Sequence, residues 1–118
     1  MAEYISVASV ESLRPGHGRT IHVRGLDFAL WNLDGNFYCV DDACPHRGAS
    51  LGAGSLLGCE LVCPMHGWGF DVRTGDGMTR PDRPLKTYPT RMVDGQVQVS
   101  VPSLSASDEL SPTRILPD

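Results

Sequence analysis

The sequence predicts an all-β fold of short strands joined by tight turns, on three observations. Thirteen glycines and nine prolines among 118 residues make about 19% of the chain, against a usual share of roughly 12%, and both residues favour turns over long helix. No stretch holds a 3.6-residue apolar period beyond a single turn at Val10 to Leu13. Two Asp-Gly pairs each lie between apolar runs, the pattern of a hairpin whose turn residues take positive φ.

The elements follow in order. Glu3 to Val7 alternates polar and apolar residues and reads as an edge strand, and Arg14 to Gly18 is a turn. Arg19 to Arg24 alternates again through Ile21 and Val23. Phe28 to Leu33 and Asn36 to Val40 flank Asp34-Gly35 as the first hairpin, and Tyr88 to Val93 and Gln96 to Val101 flank Asp94-Gly95 as the second. Val97, Val99 and Val101 are expected to face the core. Residues 41 to 86 hold most of the Gly, Pro, Cys and His and little periodicity, so a bound metal rather than a regular apolar face is expected to organise them. One domain fits the length: residues 1 to 101, followed by a Ser-, Asp- and Pro-rich tail from 102 to 118 that is expected to pack loosely.

Charge and composition exclude several functions. Fourteen acidic and ten basic residues give a net charge of −4, with no Lys/Arg cluster to neutralise phosphates, so nucleic acid is not an expected partner. No apolar run reaches the roughly 18 residues of a membrane span, and the start of the chain lacks signal-peptide features. A soluble cytoplasmic protein is expected, and there metal or redox use of cysteine is commoner than disulfides.

Cys44-Pro-His46 and Cys63-Pro-Met-His66 each offer one thiolate and one imidazole on a short arm. Such a set suits tetrahedral zinc as well as an iron–sulfur centre, so a zinc-stapled, non-redox binding module is one reading of the bare pattern. The surroundings discriminate. Cys44-Pro-His-Arg-Gly-Ala-Ser-Leu51 and Cys63-Pro-Met-His-Gly-Trp-Gly-Phe-Asp71, ending at Arg73-Thr-Gly75, resemble the two cluster loops of the Rieske iron–sulfur family.

That resemblance, which covers roughly residues 3 to 101, implies an antiparallel β-sandwich with a loop-rich cluster-binding subdomain and one 2Fe-2S cluster. By position, Cys44 and Cys63 would hold the inner iron, and His46 and His66 the outer one. Replacing two thiolates by neutral imidazoles makes a cluster less anionic and raises its potential into a window of roughly −150 to +300 mV. High-potential members carry a disulfide and hydroxyl donors near the sulfurs, where this chain has Ala49 and Met65, and Trp68 and Phe70. The low end of the window is therefore expected. Arg80 to Pro84 matches a lid loop, and Gly48, Gly67 and Gly75 match turns around the cluster.

The family resemblance implies an electron carrier rather than an enzyme. The favoured role is a ferredoxin taking single electrons from a flavin-dependent reductase to a terminal oxygenase of the ring-hydroxylating dioxygenase type. The alternative is the small subunit of an assimilatory nitrite reductase, serving that enzyme's large subunit, which Trp68 keeps in view. Outside the motif, Cys39 and Cys59 read as small buried hydrophobes rather than a redox pair, and His17 and His22 as surface or strand residues. Asp41 and Asp42 form either an acidic patch that steers a basic partner or a self-bonded turn. Trp68 is expected to pack in the core rather than lie on a docking surface.

Overall fold

A computed structural model of the protein describes residues 2–45, 48–65 and 67–102. Ten strands form three antiparallel sheets: β1 (Ala2–Ser9), β2 (Gly18–Val23), β3 (Leu26–Leu33), β4 (Asn36–Asp41), β5 (Ser55–Leu57), β6 (Glu60–Val62), β7 (Gly69–Asp71), β8 (Thr87–Tyr88), β9 (Thr90–Val93) and β10 (Gln96–Pro102). The orders are β1-β10-β9, β2-β3-β4-β8 and β5-β6-β7. The only helical pieces among the described residues are two short 3-10 turns, Val10–Ser12 and Leu51–Ala53. The fold is all-β, as its composition predicts.

Both predicted hairpins form where the Asp-Gly pairs stand. Asp34 and Gly35 have φ of 54° and 91°, and Asp94 and Gly95 52° and 77°, the left-handed region that a two-residue turn requires. A third such turn, Arg24-Gly25, joins β2 to β3 with φ of 54° and 79°; arginine gives no hint of it in the sequence. β1 pairs with β10 alone, so it is an edge strand as expected, with a bulge between Ser6 and Ala8.

The four-stranded sheet is a middle layer with both faces covered. On one face Phe28, Leu30, Phe37 and Cys39 pack with Val97, Val99 and Val101 of β10. On the other, Ala29, Trp31 and Val40 pack with Cys44, Leu51, Leu61, Cys63, Phe70, Val72 and Leu85. Double-sided burial explains why Phe28 to Leu33 reads as one apolar run and not as an alternation. It also makes the middle sheet the floor on which the Cys-bearing loops stand.

Two expectations change. The segment 41 to 86 does bury a regular face, because β5, β6 and β7 form a sheet of their own, with Leu61 and Phe70 fully buried. Its strands are only three residues long, too short for a period to show in sequence. The run Tyr88 to Val93 is not one strand: Pro89, which has no N–H to donate, separates β8 in the middle sheet from β9 in the outer one. There the chain changes sheets. The tail expected over 102 to 118 begins one residue too early, because Pro102 closes β10 opposite Ala2, and the rest of it, 103 to 118, lies outside the described residues.

Candidate metal centre

The two motif loops are built on one frame. Ala43 bridges Ser50, and Val62 pairs with Gly69, so each loop closes an eight-residue arm on an antiparallel bridge. One step inside the bridge, Cys44 N–H donates to the Ala49 carbonyl at 2.9 Å and Cys63 N–H to the Trp68 carbonyl at 2.8 Å. The loop then turns back, with Gly48 N–H donating to the Cys44 carbonyl at 2.7 Å and Gly67 N–H to that of Cys63 at 3.1 Å. Gly48 and Gly67 take φ of 77° and 74° with open space where a Cβ would stand. Backbone conformation, and not crowding, is what demands glycine there.

Within this shared frame the histidines differ by one place: His46 is the fourth residue of its arm and His66 the fifth of its own. Both lie outside the described residues, as does Arg47. Among the described residues no three His, Cys, Asp or Glu side chains gather as a metal site. The fit to an iron–sulfur centre is therefore tested on the cysteines. Cys44 and Cys63 are both unbridged thiols, 2% and 3% exposed, in one apolar cluster on the middle sheet. Two thiols at matching positions of twin loops suit the sulfur-rich, buried side of such a centre.

The first loop is tied down by Asp42. This buried carboxylate accepts hydrogen bonds at Oδ1 from Thr20 Oγ1 (3.0 Å), Ser50 Oγ (3.1 Å) and Gly52 N–H (2.8 Å), joining β2 to both ends of the loop. Asp41 Oδ1 accepts a hydrogen bond from the Tyr88 hydroxyl at 2.6 Å. Both readings of Asp41 and Asp42 are thus corrected: neither is a self-bonded turn, Asp42 is buried and bonded across the fold, and Asp41 is part-buried and bonded to Tyr88. Sequence could not reveal this, because Thr20 lies 22 positions from Asp42 and Tyr88 lies 47 from Asp41.

The second loop meets the Arg80 to Pro84 segment. Gly69 N–H donates to Thr79 Oγ1 at 2.8 Å, and Met78 N–H donates to the Gly69 carbonyl at the same distance. The Arg80 guanidinium lies 5.5 Å from the centre of the Trp68 ring. Trp68 packs half-buried against the apolar cluster that holds Cys44 and Cys63, between the two expected placements. Gly75, with φ of 81°, lets Leu85 N–H reach its carbonyl at 2.7 Å, where a Cβ would meet the Leu85 carbonyl oxygen at 2.3 Å. Asp71 pairs with Arg73 at the end of β7, and that hydrogen bond holds its carboxyl below the usual range.

The cysteines outside the motif remain apart from the centre. Cys39 is 1% exposed in β4, and burial, followed by the charge of Asp41, pushes its thiol up to about 12. A thiol held protonated is inert, as expected of a small buried hydrophobe. Cys59 is only half-buried, and both are free. His22 pairs with Asp27 on the surface, and His17 is exposed.

Comparison with known proteins agrees with this architecture. The Rieske [2Fe-2S] domain family matches residues 3–89, and the chain belongs to it. The 3-phenylpropionate/cinnamic acid dioxygenase ferredoxin subunit of Photorhabdus laumondii is 40% identical over 97 residues, covering 80% of this chain and 91% of that protein. A chain in the complex of oxygenase and ferredoxin of carbazole 1,9a-dioxygenase shares 31% identity at a TM-score of 0.77, covering 82% of this chain and 92% of that one. A structure assigned as the small subunit of an NADH-dependent nitrite reductase of Mycobacterium tuberculosis matches at a TM-score of 0.81, over 88% of this chain and 99% of that one, but with 23% identity, and so shares the fold. This chain is a ferredoxin-type electron carrier with one 2Fe-2S cluster. The zinc alternative, open on the ligand pattern alone, is set aside by the family match. No helix among the described residues is long and apolar enough to cross a membrane.

Proposed function

We propose that the protein is a low-potential carrier that takes single electrons from a flavin-dependent reductase and delivers them to a terminal oxygenase of the ring-hydroxylating dioxygenase type in the cytoplasm. Cys44 and Cys63 hold the inner iron of its cluster, and His46 and His66 the outer one. The cluster-binding domain expected over residues 1 to 101 extends by one residue to the end of β10, with its loops within 41 to 86 and the tail following from 103. The observation that carries this reading is the pair of twin loops, each placing one buried, unbridged cysteine at the same point of the same hydrogen-bonded frame.

When bound, the cluster supplies a one-electron couple. The chain's own residues do the rest. Two buried thiols fix the inner side over an apolar floor of Ala29, Trp31 and Val40, which keeps water away from the sulfurs. Asp42 and the Gly48 and Gly67 turns fix the loops, so that little has to move when charge changes. At the four positions where a disulfide or hydroxyl donors would raise the potential stand a part-buried Ala49, an exposed Met65, a half-buried Trp68 and a fully buried Phe70. With fewer donors to sulfur the added electron is less stabilised. The dioxygenase-type acceptor, and not a nitrite reductase, is favoured by relatives at 30% identity or more, since the nitrite reductase likeness is one of fold.

The test is purification under argon, followed by iron and sulfide analysis, visible spectra and EPR of the dithionite-reduced protein. A rhombic signal from one cluster, and reduction by NADH through a flavin-dependent reductase with transfer to an oxygenase component, are expected. A colourless protein with one zinc, or transfer to a nitrite reductase large subunit alone, overturns the respective part.

A further inference from the structure

The loop that follows β7 is tightly folded on itself. Arg80 Nε and Nη2 each donate to one oxygen of Asp82, both at 3.1 Å, and Arg83 N–H donates to the Arg80 carbonyl at 2.9 Å. A Cβ on Gly77 would come within 2.0 Å of the Arg80 carbonyl oxygen, so the turn closes over that glycine. The fork of hydrogen bonds to Asp82 fixes the plane of the guanidinium, and that group lies over the Trp68 ring. Trp68 in turn accepts Cys63 N–H through its carbonyl at 2.8 Å. An exposed loop is thus linked through one ring to the backbone of a cysteine that the reading above makes a cluster ligand.

We propose that the Trp68–Arg80–Asp82 stack is a positioning device that seats the 77 to 84 loop against the second cluster loop and thereby sets the reduction potential. Beyond the backbone hydrogen bonds at Gly69, this stack joins the loop to the ring side of the cluster arm. Loosening it admits water beside the second loop. Water stabilises the more negative, reduced form more than the oxidised one, so loss of the stack raises the potential. A cation acting only through its charge predicts a different result: substitutions that keep the charge balance leave the potential where it is.

The inference rests on the cluster assignment, and its test separates the two. Arg80→Lys keeps the charge but loses the planar fork, and with Arg80 48% and Asp82 60% exposed it does not threaten folding. Trp68→Leu removes the ring without changing charge. Potentials are measured by voltammetry on the holoprotein, with visible and EPR spectra recorded on the same samples. Both variants are expected to shift the potential upward by the equivalent of about two- to five-fold in the electron-transfer equilibrium constant, the range of a half-exposed cation–π contact. The double variant shifts no further than the larger single one. An unchanged or lowered potential in Arg80→Lys, with its spectra intact, overturns the inference. Absence of the cluster from the wild-type protein overturns the site assignment instead. Should Trp68→Leu fail to fold, Arg80→Lys alone decides.

Discussion

The two faces of the middle sheet support two differently built halves. On the β10 side, Val97, Val99 and Val101 alternate along a seven-residue strand and pack with Phe28, Leu30 and Phe37. Burial of apolar side chains between paired strands dominates this half. On the other side the strands have three residues, and the two arms are ordered by glycines at positive φ, a buried carboxylate and two buried thiols. The difference teaches a division of labour: regular strands supply the frame on one face, and the irregular arms on the other place the two buried thiols.

The two halves part most visibly when the cluster half loses a ligand. Cys44→Ser or Cys63→Ser is expected to abolish the visible absorbance, with hydrogen exchange speeding up throughout β5 to β7 while Leu30 and Val99 amides stay protected. Equal loss of protection in β3 and β10 would show that the sandwich depends on the cluster.

Next in size is a cavity on the opposite face. Leu30, fully buried beneath β10, should cost about 2–5 kcal/mol when replaced by alanine, read as a lower thermal midpoint, with the reduction potential unmoved. A shifted potential would mean that the middle sheet transmits strain to the loops.

Asp42→Asn acts where the two halves join. It weakens an acceptor serving Thr20, Ser50 and Gly52, at a cost of about 1–3 kcal/mol. Because the anchor holds the first loop, cluster loss to a chelator should be faster at 25 °C, and an unchanged rate would count against the anchoring role.

Cys39 tests the sandwich by pH. Its thiol is raised in the folded state from 9.0 to about 12, so its stabilising effect is complete below the lower value and drains away as pH rises to the upper one. Cys39→Ala should flatten that loss by roughly 1.4 kcal/mol per pH unit at most. Tyr88, whose phenol is raised first by burial and then by Asp41, sustains the remainder. Denaturation midpoints between pH 9 and 11 read the difference.

The smallest effect belongs to Arg73→Ala. Arg73 is half exposed, so solvent screens its pair with Asp71 and the pair adds little stability. Asp71 is held below its usual range, so this stability is present above the unfolded carboxylate pKa of about 3.9 and disappears as pH falls. Wild type and variant should therefore converge in acid, and a gap that persists there would point to the turn itself.

Legibility in sequence followed the range of the forces. Asp34-Gly35 and Asp94-Gly95 announced their hairpins because φ preference acts within two residues. The Arg24-Gly25 turn, the break at Pro89 and the short sheet β5-β6-β7 did not, since each depends on partners far along the chain. The motif cysteines were readable as a set because their flanking residues serve the same loops, whereas the roles of Asp42, Trp31 and Arg80 emerge only from contacts with β2, the loop floor and Trp68.

The all-β class, the two Asp-Gly hairpins, the Val97-Val99-Val101 face and the ligand pattern follow from local backbone preference, alternation and donor chemistry, and are written in the chain. The covering of the middle sheet on both faces, the hydrogen-bond frame shared by the two arms, and the partners of Asp41 and Asp42 belong to the folded molecule. Those features arise from pairing between distant segments, where burial and hydrogen-bond satisfaction of the whole chain outweigh what any short stretch prefers.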